Sequence, residues 1–282
     1  MIDAGLVLEG GGMKGIYTAG VLDYFMEKNV YFKNSYGVSA GSCHLASYIS
    51  KQHGRAKRVS LDYLREKNYC SVYSLLTSGD IFNVKFCYDR IPNELAPYDY
   101  ETAYTFEGNA YAVVTNIETG KPEYMPLREM HKDIIGVRAS SSLPMVSRNV
   151  EIDGKFYLDG GISDAIPIRK SVEDGNQKSV VVLTKEVGYV RKPSSHLGLI
   201  KTMYKKYPKV YELMRDRHII YNDTLEYLAK AEKEGKAFVI RPQQVSDVGR
   251  IEKDRAKLEA LYEVGYEDAK RCYEDMMRFL EQ

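Results

Sequence analysis

The 282-residue chain carries 40 basic and 39 acidic residues, and its formal net charge of +1 excludes an overall field that would attract nucleic acid. With 44% hydrophobic and 28% charged residues, its composition is that of an ordinary globular protein and excludes a disordered or fibrous chain. The four cysteines lack CxxC spacing, which argues against a zinc site or a disulfide framework and favours a reducing compartment.

The N-terminal segment lacks the features of an export signal. It reaches glycine-rich sequence by Gly10, without a basic flank and a long apolar stretch. No run of about 18 apolar residues that could span a bilayer follows elsewhere in the chain. We therefore expect a cytoplasmic protein.

The first 50 residues repeat a strand–turn–helix unit. An apolar run at 5–9 ends in a glycine loop, and residues 15–28 carry apolar side chains at helical spacing. A second strand is expected at 31–38, followed by a sharp turn and a helical stretch that includes His44. This repetition is typical of βαβ architecture.

Strand signals return after a mixed stretch at 55–105. Residues 111–116 are β-branched and apolar, and a Thr-Gly-Lys-Pro turn precedes 123–126, which together predict a hairpin. Residues 134–142 are typical of a helix, which Pro144 would stop.

The second half of the chain begins with strands and becomes mostly helical. Residues 151–161 predict two short strands separated by an Asp-Gly turn, and a buried strand is expected at 179–184. Helical patterns cover 195–234 and 251–280, with one late strand at 237–240 between them.

The order of these elements predicts an α/β fold in three layers, α/β/α, with a mostly parallel central sheet. Residues 1–190 would form this core. Residues 191–282 would form a mostly helical C-terminal region that contains the late strand and is packed on the core.

The turn Gly37-Val38-Ser39-Ala40-Gly41 matches the pattern G-x-S-x-G. A serine at its centre lies on a strained strand-to-helix turn with its hydroxyl exposed, and Gly37 and Gly41 remove Cβ atoms that would collide. The same pattern also occurs in plain tight turns, so the motif by itself leaves that interpretation open.

A second motif lies between the first strand and the first helix and consists of Gly10-Gly11-Gly12-Met13-Lys14-Gly15. Backbone N–H groups in such a loop, helped by the helix dipole, can point at a developing oxyanion. A phosphate favours the same place. A Walker loop is not matched, because Lys14 is followed by Gly15 instead of Ser or Thr. The dinucleotide spacing is present, but no ribose-binding acid is obvious.

The third motif, Asp159-Gly160-Gly161, follows a predicted strand and is common in plain turns. Together the three motifs resemble the patatin-like phospholipase family, whose hallmarks are G-G-G-x-[KR]-G, G-x-S-x-G and D-G-[GA] in this order. Residues 136–146 are similar to the family's Ala-Ser-x-x-x-Pro segment, and residues 115–124 to its Thr-Gly-Lys-x-x-Tyr hairpin. The resemblance covers about residues 6–184.

The resemblance implies that Ser39 is the nucleophile and Asp159 the base of a Ser-Asp dyad. It also implies an oxyanion hole formed by the N–H groups of Gly11, Gly12 and Met13. Such a dyad requires a carboxylate within hydrogen-bond reach of the serine, in a partly desolvated site that raises its basicity.

A Ser-His-Asp triad is the rival arrangement. A histidine after Asp159 would preserve the chain order of α/β-hydrolases, and His196 and His218 are the candidates. Both lie in the polar helical region, where histidines commonly face solvent. Two interpretations of Lys14 are also left open. Its side chain could neutralise an anionic head group, or it could be a solvated residue at the start of a helix.

By resemblance we expect a serine lipid acyl hydrolase that cleaves ester bonds of phospholipids or related acyl lipids through an acyl-enzyme. No metal or cofactor is expected. The alternatives are a non-catalytic lipid-binding or regulatory protein on the same fold, and an acyltransferase in which an alcohol captures the acyl-enzyme.

The stretch 200–214 is relevant to membrane contact because it sets lysines among aromatic and apolar side chains. Its basic residues are Lys201, Lys205, Lys206 and Lys209. A helix of this kind can lie on an anionic bilayer surface, and a solvated lysine face on a packing helix fits as well. Peripheral membrane contact stays open on this basis, and no feature of the sequence indicates an oligomeric state.

Overall fold

The computed structural model describes residues 1–282. Its strands, in chain order, are β1 (Ile2–Leu8), β2 (Phe32–Val38), β3 (Asn109–Asn116), β4 (Pro122–Pro126), β5 (Val150–Ile152), β6 (Lys155–Asp159), β7 (Ser179–Val182) and β8 (Ala237–Ile240).

The α-helices are α1 (Ile16–Glu27), α2 (Ala40–Ile49), α3 (Arg55–Leu61), α4 (Val72–Ser78), α5 (Tyr100–Tyr104), α6 (Met130–Ser140), α7 (Ile168–Glu173), α8 (Leu197–Met203), α9 (Pro208–Lys233) and α10 (Arg255–Glu281). Two short 3₁₀ turns lie at Gly12–Gly15 and Gly160–Ile162, and a π-helix lies at Phe86–Leu95. None of the helices is both long enough and apolar enough to cross a membrane.

All eight strands belong to one sheet. Strands β3, β2, β1, β7 and β8 pair in parallel in this order, and β4 pairs antiparallel with β3 as the predicted hairpin. The expected α/β fold with a mostly parallel sheet and a helical C-terminal region is confirmed.

The two faces of the sheet are covered by different helices, as alternating residues of β1 show. Leu6 and Leu8 contribute to a large core that includes residues of α1, α2, α6 and α10. Val7, between them, faces a smaller core with residues of α9 such as Tyr221 and Leu228. Because neighbouring side chains of a strand point to opposite faces, these two cores define the three layers.

Strands β2 and β6 pair with the same edge of β3, one after the other along its length. The last residue of β2, Val38, is the partner of Val113, and the next residue of β3, Val114, is the partner of Asp159. The opposite edge of β3 is taken by β4 over these same residues. Ser39 follows directly after β2, so the sheet brings it and Asp159 to adjacent positions.

Helix α10 crosses α1 with the two backbones almost in contact. A Cβ added to Gly265 would lie 2.0 Å from the carbonyl oxygen of Tyr17, and one added to Gly20 would lie 2.2 Å from that of Tyr262. The hydroxyl of Tyr17 donates to Asp268 at 2.8 Å across the same contact. Residues 255–281 are thus part of the main hydrophobic core.

The helix predicted over 200–214 is interrupted in the structure. Helix α8 ends at Met203 and α9 begins at Pro208. A proline disfavours the helical conformation of the residue before it, here Tyr207, which has φ −126° and ψ 71°.

Candidate active site

Ser39 lies on a strained turn between β2 and α2. It has φ 54° and ψ −122°, a conformation that costs free energy in a residue with a side chain. The turn brings its backbone against β1, because a Cβ on Gly41 would lie 2.6 Å from the Leu8 carbonyl oxygen. Nucleophile elbows have a strained strand-to-helix turn of this kind, which holds a serine hydroxyl at the end of a strand.

The glycine-rich loop runs directly beside Ser39. A Cβ on Gly10 would lie 2.7 Å from the Ser39 Cβ, so only glycine permits this approach. The N–H groups of Gly11 and Gly12 make no hydrogen bond within the chain, whereas the N–H of Met13 donates to the carbonyl of Arg250 at 3.0 Å. Two of the three expected oxyanion donors are therefore free, and the third is occupied by the segment that precedes α10.

Asp159 is buried at the end of β6 with one oxygen uncommitted. Its Oδ1 accepts the N–H of Gly161 at 2.7 Å, and its buried Oδ2 has no hydrogen-bond partner. Burial raises the pKa of Asp159, and the charge of Arg217, the Gly161 hydrogen bond and the charge of Arg250 partly oppose this rise. No hydrogen bond joins Ser39 and Asp159 here, but both residues line the same cavity. A carboxylate in this environment is suited to accept a proton.

None of the candidate histidines joins Ser39 to Asp159. His196 lines the polar cavity but is exposed and forms no hydrogen bond with either residue. The Nδ1 of His218 contacts the carbonyl of Arg215 at 3.1 Å, on the exposed side of α9. The structure thus holds no assembled Ser-His-Asp triad.

A first cavity beside Ser39 is apolar and has a volume of about 170 Å³. It lies among α2, α3, the π-helix and α6, and its hydrophobic lining includes Val59, Tyr69, Phe82, Ile91, Val137 and Leu143. Buried His44 also lines it, and burial lowers the pKa of His44 to about 4, so this side chain is uncharged at neutral pH. An apolar cavity next to a nucleophile suits a hydrocarbon chain.

A second cavity on the other side of Ser39 is polar and has a volume of about 610 Å³. The negative side chains in its lining are Glu9 and Asp159. Its positive side chains are Lys185, Arg191, Lys192, Arg217 and Arg250. The ammonium group of Lys14 lies outside this lining and donates to the Ser246 carbonyl at 3.3 Å.

Glu9 is a buried residue of this site that our sequence analysis missed. Its carboxylate accepts the N–H of Thr184 at 2.7 Å and the hydroxyl of Tyr221 at 2.6 Å. It thereby ties the end of β1 to the segment after β7 and to α9, directly behind the glycine-rich loop. A carboxylate that ends an apolar strand immediately before three glycines was the available signal.

Comparison with known proteins identifies two regions of the chain. The family model described as "Patatin-like phospholipase" matches residues 6–170, more than half of the chain. A second model, a domain of unknown function (DUF6363), matches residues 207–281.

Two relatives and one solved structure extend this comparison. The "Uncharacterized protein YjjU" of Escherichia coli is 33% identical over 185 residues, which cover 64% of this chain and 51% of YjjU. The "Probable lipid hydrolase 463L" of Invertebrate iridescent virus 6 is 23% identical over 270 residues, 85% of this chain and 89% of that protein. The crystal structure of VipD from Legionella pneumophila aligns with a TM-score of 0.52 and 13% identity, over 99% of this chain and 66% of VipD. The likeness to VipD concerns the fold alone, and the match spans about half of YjjU.

Proposed function

The chain belongs to the patatin-like phospholipase family, and we propose that it is a serine lipid acyl hydrolase with Ser39 as nucleophile and Asp159 as base. Family membership and the relative named as a probable lipid hydrolase support lipid hydrolysis in general. The dyad, the acyl-enzyme and the acyl lipid substrate are our proposal.

The buried and unpartnered Oδ2 of Asp159 carries this proposal. A buried polar atom without a hydrogen bond costs about 1–3 kcal/mol, so nearly all such atoms have partners. Asp159 Oδ2 is one of five such side-chain atoms in the chain, and it lies in the cavity that Ser39 also lines. A proton from the Ser39 hydroxyl would satisfy this oxygen during the reaction.

The mechanism follows from this arrangement. The Ser39 oxygen attacks the ester carbonyl while its proton passes to Asp159, and the N–H groups of Gly11 and Gly12 donate to the oxyanion that forms. Collapse of the tetrahedral intermediate expels the alcohol, which takes the proton from Asp159, and leaves the acyl group on Ser39. Water, deprotonated by Asp159, then attacks the acyl-enzyme, and the second tetrahedral intermediate collapses to the fatty acid. The leaving Ser39 oxygen takes the proton back from Asp159, which restores both residues.

Labelling with a fluorophosphonate tests the nucleophile. We expect the probe to label the wild type. It should label Asp159→Asn only weakly, and it should not label Ser39→Ala. Ser147→Ala is a matched control, because Ser147 is partly exposed, lines neither cavity and forms no side-chain hydrogen bond. Equal labelling of the wild type and Ser39→Ala would refute the assignment, and labelling without release of fatty acid from any ester would indicate a transferase.

Peripheral contact with a lipid surface belongs to the same proposal. Leu199 and Met203 of α8 have relative exposures of 52% and 53%, and the lysines at 201, 205, 206 and 209 beside them are also exposed. Apolar side chains flanked by lysines favour an anionic interface. Co-sedimentation with phosphatidylglycerol vesicles should fall in the double variant Leu199→Ser/Met203→Ser, and unchanged binding would contradict the contact.

A further inference from the structure

The positive side chains of the polar cavity lack the partners that such groups usually have. Lys185 and Arg191 follow β7, Arg217 lies on α9, and Arg250 precedes α10. None of them forms a salt bridge, although many lysines and arginines elsewhere in the chain do. The chain therefore gathers these charges from three separate segments without neutralising them.

The carboxylates of the cavity do not balance this charge. Five cationic and two anionic side chains line it, which leaves a formal excess of +3. Both oxygens of Glu9 are already used by Thr184 and Tyr221, and one oxygen of Asp159 is used by Gly161. An anion that entered the cavity would meet unpaired donors.

The cations are close enough to disfavour one another's charge. Burial and the neighbouring Arg191 and Arg250 lower the pKa of Arg217 to about 10. Burial likewise lowers the pKa of Lys185, with contributions from Lys14, Arg191 and Arg250 that Glu9 opposes. Like charges held together in a partly desolvated place are unfavourable unless an opposite charge is supplied.

Two of these arginines are held in fixed positions. The Nε of Arg217 donates to the Gly161 carbonyl at 2.8 Å. The guanidinium of Arg191 lies 4.1 Å from the ring centroid of Tyr221, and its buried Nε has no hydrogen-bond partner. An arginine fixed in this way offers a planar set of donors that matches the oxygens of a phosphate.

Resting on the hydrolase function proposed above, we infer that the polar cavity is a head-group subsite for acyl lipids whose head group carries a net negative charge, such as a phosphate monoester beside the ester. A substrate carbonyl at Ser39 would place its acyl chain in the apolar cavity and its alcohol portion among these arginines. The protein would then select anionic acyl lipids over zwitterionic and uncharged ones.

Arg191→Gln is the most informative change. Arg217 and Arg250 also lower the pKa of Asp159, so replacing them would alter the base as well as the cavity. Arg128→Gln is the matched control, since exposed Arg128 also lies over a tyrosine ring, that of Tyr104, and lines neither cavity. Lys185→Gln gives a second test if Arg191→Gln does not fold, as judged by circular dichroism.

Binding can be measured without turnover in the Ser39→Ala protein, using dihexanoyl lipids at monomeric concentrations in a calorimeter. We expect dihexanoyl phosphatidate to bind about tenfold or more tightly than dihexanoyl phosphatidylcholine and than inorganic phosphate. Adding Arg191→Gln should remove about tenfold of the phosphatidate affinity, and Arg128→Gln should not. Equal affinity for the two lipids would overturn the anionic subsite, and phosphate binding as tightly as phosphatidate would overturn its assignment to a lipid.

Turnover separates this inference from the hydrolase function. The wild type should cleave dihexanoyl phosphatidate with a higher kcat/KM than dihexanoyl glycerol, and Arg191→Gln should reduce the ratio of the two. Equal kcat/KM values for both esters would overturn the subsite while leaving the hydrolase intact. Cleavage of neither ester, combined with selective binding by Ser39→Ala, would refute the hydrolase and retain the subsite.

Discussion

The two cavities that meet at Ser39 come from different parts of the chain. Every residue of the apolar cavity lies between Gly12 and Leu143, within the region matched by the patatin-like model. The positive side chains of the polar cavity all lie at 185–250, beyond that region. The family region therefore supplies the motifs and the apolar wall, whereas the charge beside them comes from sequence that the family model does not describe.

Replacing the proposed base would stop the chemistry while leaving both cavities intact. In Asp159→Asn we expect kcat to fall about 10³-fold, because the amide cannot accept the Ser39 proton. Hydrolysis of p-nitrophenyl butyrate measures this loss. Asp164→Asn is the matched control, since half-buried Asp164 accepts the Tyr124 hydroxyl at 2.7 Å and lines neither cavity. Full activity of Asp159→Asn would place the base elsewhere, and His196 would be tested next.

The pH profile gives the same prediction a second readout. As the proposed base, Asp159 would work as a carboxylate, so we expect activity to fall when Asp159 becomes protonated. Because burial raises the pKa of Asp159, the acid limb of kcat/KM should lie above the ordinary aspartate value of about 3.9. An acid limb at or below that value would contradict the assignment.

The dependence of the family region on the C-terminal helices can be tested at the crossing of α1 and α10. Gly265→Ala places a methyl group against the backbone of Tyr17, and we expect it to lower the free energy of unfolding by about 3 kcal/mol. Gly198→Ala on α8 is the control, because nothing lies within 4 Å of its added Cβ. This control should gain about 0.4–1 kcal/mol. Urea denaturation compares the two, and equal stabilities would contradict the tight crossing.

Filling the apolar cavity should change the preference for acyl chain length and leave the preference for the head group unchanged. Val137→Phe adds bulk to the cavity wall, and we expect activity on long-chain p-nitrophenyl esters to fall about 10–100-fold relative to the acetate. Val72→Phe introduces the same side chain at a residue with 66% relative exposure and serves as the control. An unchanged ratio would mean that the acyl chain lies elsewhere.

Salt should weaken the binding of anionic substrates in the polar cavity and leave the apolar cavity unaffected. We expect this to be the smallest of the predicted effects. Raising ionic strength from 0.05 to 0.5 M shortens the distance over which charges act, so kcat/KM for monomeric dihexanoyl phosphatidate should fall roughly threefold. Dihexanoyl glycerol, which is uncharged, is the reference substrate. An equal response of the two esters would indicate a general effect of salt on the protein.

The three glycine-containing motifs could be recognised in the sequence because the residues of each motif are adjacent in the chain. The order α/β/α followed from hydrophobic periodicity, and the helix break before Pro208 could have been predicted from the restriction on Tyr207. The proximity of Ser39 and Asp159 could not be derived from spacing, since it depends on the register of β2 and β6 along β3.

The positive charge of the polar cavity could not be predicted from the sequence. Arg191, Arg217 and Arg250 are separated by 26 and 33 positions and have no common spacing. A net charge of +1 for the whole chain also conceals the local excess, because acidic residues elsewhere compensate for it. The occupied N–H of Met13 depends likewise on a tertiary contact, its hydrogen bond to the Arg250 carbonyl.

The crossing of α1 and α10 also constrains when the protein can fold during its synthesis. Residues 16–26 are buried in the folded chain, and α10, which covers them, begins 239 positions after α1 (Ile16 to Arg255). At about 5–20 residues per second, the ribosome needs on the order of tens of seconds to reach α10 after α1 has been made. During that interval the apolar side chains of α1 that pack on α10 stay uncovered, so the two regions can complete their shared core only after α10 has been made.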